Sequence, residues 1–337
     1  MKNTGKIIVL AYPDTFVTVS DEWICKFLPL VGLGTRHYIK AGHAALVLIE
    51  NESGEARYFD FGRYVTPKGH GRVRGANTDV ELILPFNALI DENHSLKNLK
   101  EFLLWLDANP QKTHGEGRLI ASVCESVDYN LANDFIYTLQ QKGSVRYGAF
   151  SQTESNCSRF VTDTILAATQ EKEIQMALKF NKLFTPSTVG NVEKAATKNE
   201  VYVVENGVIS GFNSTAFKEN LTNYFHKNRP ASEMRELPKL PINAQKLTGT
   251  GSNAWFELVS EKLPKDHFRI KRYNDHHEMD FDGIYKASEV FDATSPFQFI
   301  HDSHCGYCHI LQKNKKIKFE KIVAYSEASS LLKVHSI

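Results

Sequence analysis

A cysteine attacks a carbonyl carbon only as its thiolate, so the first residues of interest are those able to lower a thiol's pKa. Cys157 follows Asn156, and Phe160, Val161, Ile165 and Ala168 come after it at helical spacing. That spacing predicts a helix opening at Cys157, with Ser155 or Asn156 as its N-cap. A helix N-terminus supplies about half a positive charge and a nearby imidazolium adds more, which brings a thiol from about 8.5 into the range ~3.5–7.5. A histidine for that role heads an apolar run, Gly42-His43-Ala44-Ala45. The base must in turn be oriented by a third group, for which Asp60 is the candidate.

A hairpin has to bring these groups together. Residues 43–50 (HAALVLIE) read as a buried strand, Asn51-Glu52-Ser53-Gly54 is a turn signal, and Arg57-Tyr58-Phe59-Asp60-Phe61 returns. With Glu52-Ser53 as the turn, His43 faces Gly62 and Ala45 faces Asp60. Moving the turn to Ser53-Gly54 leaves the faces unchanged, so Tyr58, Asp60, Gly62 and Tyr64 share the face of His43 either way. Tyr64 is a weaker orienter, and the competing reading of Asp60 is a plain ion pair with Arg57 or Arg63. Residues 6–11 read as a second buried strand and 118–124 as a short one. Helices are expected from a Ser95 cap to Asn109-Pro110, and from an Asp128 cap to a stop at Gly143. Asn206-Gly207, within 201–212, marks a two-residue hairpin.

Residues 63–74 read as a loop holding Arg63, Lys68, His70, Arg72 and Arg74 with the glycines Gly69 and Gly71. Guanidinium forks beside glycine-permitted backbone suit a carboxylate or phosphate on a substrate, so Arg63, His70, Arg72 and Arg74 are the candidate substrate-binding residues. The competing reading is a solvated basic loop. Cys305-Gly306-Tyr307-Cys308-His309 has haem-attachment spacing but no axial partner, and a zinc site there lacks its second knuckle. With 307–311 as a strand, Cys308 and His309 point to opposite faces. The expectation is therefore no metal and no cofactor.

After the proline-bearing stretch 229–241 the pattern changes to short alternating strands, near 254–260, 267–273, 278–286, 297–301, 306–312 and 316–322. This predicts a small β-sandwich or barrel. The expected organisation is α+β, with domains at 1–198 and 248–337 joined by a hairpin-and-proline linker at 199–247, in keeping with a 337-residue chain at about 150 residues per domain. Forty Lys and Arg against thirty-nine Asp and Glu leave a net charge of +1, which removes any chain-wide electrostatic case for nucleic acid. Five cysteines in a chain this long do not suggest a disulfide framework. There is neither the apolar core of a signal peptide nor a run near the roughly 18 residues of a membrane span, so the expected location is cytoplasmic.

Gly42-His43-Ala44-Ala45-Leu46-Val47 with Asn156-Cys157-Ser158-Arg159-Phe160-Val161 resembles the circularly permuted NlpC-type, papain-like cysteine hydrolases and acyltransferases. The strings Tyr58 to Tyr64 and Gly69 to Arg74 are also similar to those of a two-domain bacterial family of this type. The resemblance implies a permuted papain-like domain over the first part of the chain, with Cys157 as nucleophile and His43 as base. It points to a thiol-dependent amidase, peptidase or acyltransferase working through a cysteinyl acyl-enzyme on a small-molecule or peptide substrate, with an anionic group for the arginines. The alternative is a non-catalytic binding protein on an inactive papain-like scaffold. Oligomeric state is not legible.

Overall fold

In the computed structural model residues 3–229 and 236–328 are described. They form two compact units, one made of 1–62, 71–75 and 82–230, the other of 63–70, 76–81 and 231–337. Residues 230–235 of the proline-bearing stretch lie outside the described residues.

The first unit contains, in chain order, β1 (Gly5–Tyr12), β2 (Phe16–Thr18), β3 (Tyr38–Lys40), β4 (His43–Glu50), β5 (Ala56–Gly62), β6 (His70–Gly75), α1 (Leu99–Asp107), α2 (Pro110–Thr113), β7 (Leu119–Val127), α3 (Tyr129–Gln141), β8 (Val145–Arg146), α4 (Cys157–Ala168), α5 (Lys172–Asn181), α6 (Thr188–Ala195), β9 (Val201–Glu205), β10 (Val208–Gly211) and α7 (Ala216–Phe225). Eight strands form one sheet in the order β10-β9-β7-β1-β4-β5-β6-β8, and β2 and β3 pair separately. The central residues of β1 (7–11) and β4 (44–49) are all apolar because both faces of the sheet are covered. Ile7, Val9, Ala44, Leu46 and Leu48 pack against Ile136 of α3, Phe160 and Ile165 of α4 and Val189 of α6. Ile8, Leu10, Ala45, Val47 and Ile49 meet Phe102, Leu103 and Leu106 of α1 on the other face.

Local signals account for the helix ends. Asp128 accepts from the Leu131 N–H at 3.1 Å and Asn156 from the Arg159 N–H at 2.9 Å, as N-caps should. Gly143 takes φ +68° just past α3. Ser95 does not cap α1. Its backbone is held in a turn by Asp91, whose Oδ1 accepts the Ser95 N–H at 2.7 Å, and the helix begins three residues past the expected first position. The Asn206-Gly207 turn has φ +52° and +77°, the conformation of a type I′ hairpin. That hairpin, read from the sequence as part of a linker, extends the first sheet because β9 pairs with β7. Helices α5 to α7 carry no strong signal in the sequence and were not expected.

The second unit holds β11 (Gln245–Leu247), β12 (Ala254–Val259), β13 (His267–Tyr273), β14 (Met279–Ala287), β15 (Gln298–His304), β16 (Tyr307–Gln312) and β17 (Lys315–Ala324). The order is β11-β12-β13-β14-β17-β16-β15, with every pairing antiparallel. The Gln245 side chain donates to Phe297 O at 3.3 Å and accepts from Phe299 N at 2.8 Å, so the two edges nearly meet and the sheet is an almost closed barrel. Phe256, Ile270, Phe299, Ile310, Ile317 and Phe319 fill it.

Two early segments belong to this unit. Val65 N donates to Ser252 O at 3.1 Å, Gly251 N to Arg63 O at 2.9 Å and Cys305 N to Thr78 O at 3.0 Å. Asp79 also lies 3.4 Å from the buried Arg272 guanidinium. A fragment of residues 236–337 lacks all of these partners. It is expected to show no cooperative thermal transition by circular dichroism, in contrast to the full chain; a sharp transition in the fragment would show that β11 to β17 suffice.

Candidate active site

The Gly-His pair at the head of β4 has a steric reason. Gly42 has φ +79°, and a Cβ there would sit 3.0 Å from Tyr12 O and 3.1 Å from the Pro13 Cα. Only glycine fits this corner, which turns the chain into the strand with His43 as its first residue. His43 then lies opposite Tyr12 of β1, with the rings stacked at 6.3 Å between centroids.

The expected hairpin register is the observed one, since Ala45 pairs with Asp60. Asp60 has no solvent exposure and His43 only 4%. His43 Nε2 stands 3.4 Å from Asp60 Oδ2. Asp60 also receives Arg74 Nε at 2.9 Å and Nη2 at 2.5 Å, one on each oxygen, and the Tyr58 hydroxyl at 3.1 Å. An ionised carboxylate only accepts, so Nε2 carries a proton and donates, leaving Nδ1 as the nitrogen for the thiol. His43 is hydrogen-bonded to Cys157.

These contacts set the charges. Burial pushes the Asp60 carboxyl up, but the Arg74 guanidinium and the His43 hydrogen bond outweigh it and hold it well below the usual carboxylate range. Burial pulls His43 down, but its hydrogen bonds to Asp60 and Cys157 raise it to about 9. Burial likewise raises the Cys157 thiol, and the hydrogen bond and charge of His43, with the N–H groups of Ala44 and Ser158, bring it below its ordinary value. Each shift favours the charged form of its group: thiolate for Cys157, imidazolium for His43 and carboxylate for Asp60.

The segment before Cys157 is held from both sides of its backbone. Glu22 accepts the N–H groups of Ala149, Phe150 and Ser151. Arg159, buried at 2% exposure, donates to the carbonyls of Ser151 and Ala149, and Asn156 Nδ2 donates to Gly148 O at 2.9 Å. Beside Cys157 opens a cavity of about 240 Å³, bounded by residues of 17–42, 147–158 and 184–188 together with Tyr224.

The basic segment differs from its reading as a loop. Residues 70–75 are strand β6, and its glycines make room for aromatic rings: a Cβ on Gly71 would lie 2.7 Å from the Phe61 ring, and one on Gly75 2.6 Å from that of Phe59. Arg74 is the direct cross-strand partner of Asp60, 1% exposed, with its fork spent on that carboxylate. Asp60 pairs with Arg74 rather than with Arg57, which binds Glu55. Arg72 is also buried, at 3% exposure. Arg63 and His70 belong to the second unit, where His70 Nδ1 meets Lys68 O at 3.1 Å. Tyr64 is bridged to Ser252 and belongs to that unit as well.

Cys305 and Cys308 are both fully buried; burial pushes Cys305 up to about 12 and Cys308 higher still. Cys305 Sγ accepts from Arg272 at 3.2 Å. Among the described residues no group of three or more His, Cys, Asp or Glu side chains is arranged to hold a metal ion. Nor is any helix among them long and apolar enough to cross a membrane.

Residues 7–174, which hold His43, Asp60 and Cys157, match the family model described as type VI secretion system effector TseH-like. The matched stretch, 7–174, is 168 of the chain's 337 residues. A crystal structure of the type VI secretion system effector TseH aligns with 63% of this chain and 99% of its own, at 20% identity and a TM-score of 0.41. Residues 244–322, the barrel strands, match the model of the DUF6695 C-terminal domain. A comparison with curated proteins returns no match.

Within the TseH-like region the sequence had pointed to His43, Asp60 and Cys157, which the fold brings together, but not to Glu22 or Arg159. Tyr58 was on the right face by strand parity, although nothing in the sequence marked its hydroxyl as a partner of Asp60. Arg74→Ala leaves a buried carboxylate without its counter-ion. It is expected to cost about 3–5 kcal/mol in urea denaturation, and Arg74→Lys, which keeps the charge and loses the fork, should cost less.

Proposed function

We propose that the TseH-like region is a permuted papain-like cysteine hydrolase or acyltransferase whose nucleophile is Cys157. The observation that carries this is the buried line of Cys157, His43 and Asp60, in which the thiol lies below its ordinary pKa and the imidazole is raised to about 9. A structural cysteine deep in a core is pushed the other way, as Cys124, Cys305 and Cys308 are.

The Cys157 thiolate attacks the carbonyl carbon of an amide or ester, and the C–S bond forms as the carbonyl pair moves onto oxygen. The Cys157 N–H, in the first turn of α4 and so without an intrahelical acceptor, lies where it can hold that oxyanion with a neighbouring donor. The His43 imidazolium gives its proton to the leaving nitrogen or oxygen as the bond to carbon breaks. Neutral His43 then takes a proton from water, or from an acceptor nucleophile, which cleaves the thioester and restores the thiol. Asp60 is the orienter of His43. No metal or organic cofactor is required by these steps.

The family model that matches residues 7–174 is described as type VI secretion system effector TseH-like. Carried to this chain, that makes it a delivered hydrolase rather than a resident of the cytoplasm, with the barrel as an accessory module. The proposed domain division is a catalytic region within 1–198 and an accessory barrel domain over 248–337, to which β11 at Gln245–Leu247 also belongs.

Iodoacetamide should alkylate Cys157 faster than any other cysteine, and already well below pH 8. His43→Ala should slow that reaction at neutral pH by at least about tenfold, the equivalent of one pKa unit on the thiol. Amide turnover should fall as pH rises through about 9, because the imidazolium that protonates the leaving group is lost there. Cys157→Ser should abolish turnover and keep the fold, and Asp60→Asn should give partial loss. An unmodified Cys157 beside a labelled Cys25, mapped by mass spectrometry, overturns the assignment.

A further inference from the structure

The sequence led to expecting an anionic substrate, yet among the described residues that line the cavity beside Cys157 none is charged. The basic side chains offered for that role are engaged elsewhere: Arg74 on Asp60, and Arg63 and His70 in the other unit. What borders the cavity instead is mainly apolar, notably Val17, Val19, Leu33, Ile39, Phe150 and Phe184, interspersed with neutral polar side chains of Ser, Thr and Asn.

The rim continues this character into solvent. Phe184 is 62% exposed while it packs on Phe150 at 4.8 Å between centroids. Phe27, Leu30 and Val31, in the same short 3-10 segments as the cavity-lining Leu28, are 54%, 77% and 65% exposed. Apolar surface left open around a nucleophile is surface that a ligand would cover.

We propose that this cleft binds the apolar part of the acyl group, so that the acyl-enzyme on Cys157 carries a hydrocarbon chain or an apolar aminoacyl side chain. The cavity, of about 240 Å³, has room for a hydrocarbon chain or an apolar aminoacyl side chain. The inference rests on the thiol-acyl reading and gives it a substrate class. In the acylation step the C–S bond to Cys157 forms, the C–O bond of the ester breaks and the alcohol leaves with the proton of His43; water then releases the carboxylic acid and the thiol.

Two ester series on the full chain test it, with 4-nitrophenol release and intact mass of the Cys157 adduct as readouts. The first is 4-nitrophenyl alkanoates from acetate to dodecanoate. The second compares N-acetylglycine with N-acetylleucine 4-nitrophenyl esters. A rise in kcat/KM of at least about tenfold from acetate to octanoate, or from glycyl to leucyl, is expected, and the arm with the larger rise identifies the source of the apolar group. Ile39→Trp and Val19→Trp fill the cleft and should lower the octanoate-to-acetate ratio at least about tenfold. Phe184→Ser, at an exposed position, should lower it with the fold unperturbed. Equal rates across both series, with adducts on Cys157, overturn the cleft assignment and leave the nucleophile standing. No adduct on Cys157 from any ester overturns both.

Discussion

The site depends on a carboxylate with no access to water. Asp60 is surrounded by strands β4 and β6 and ionised despite its burial. A charge in that position persists only when its lone pairs are used, and here Arg74, Tyr58 and His43 use them. The consequence passes along the row. A carboxylate that only accepts compels His43 to present a proton at Nε2, which leaves the other ring nitrogen to the thiol and keeps the ring from turning. The charge beside Cys157 thus traces back to a pairing between residues opposite each other in β5 and β6.

Such a row was partly legible in the sequence because it is written in local rules. Strand parity placed Asp60 on the face of His43 without knowledge of the turn, and Asn156 before an apolar helical pattern marked the start of α4. Six of the seven barrel strands, all but β11, were visible for the same reason, as two-residue alternation survives wherever one face is wet. The Arg74 contact was hidden by its glycines. Gly71 and Gly75 resemble turn residues, yet they lie inside a strand under the rings of Phe61 and Phe59, and a single sequence does not distinguish glycine as a hinge from glycine as a gap.

Other features had no local signature at all. Glu22 fastens a segment more than a hundred residues away through three backbone N–H groups, and nothing around Glu22 announces it. The same segment is secured on its carbonyl side by Arg159, from the helix that carries Cys157. Both side chains spend their charge on the main chain. The backbone leading into the nucleophile is therefore fixed by groups that take no part in the chemistry, while the cavity wall it forms stays mainly apolar.

The discontinuity of the second unit bears on how the chain is made. Residues 63–70 and 76–81 leave the ribosome about ten to thirty seconds before β11 to β17, at roughly 5–20 residues per second. During that interval they have sequence but no partners, and they flank the short strand that bears Arg74 on both sides. The counter-ion of the buried carboxylate is thus synthesised between two stretches whose partners, Ser252 for Val65 and Cys305 for Thr78, come far later in the chain.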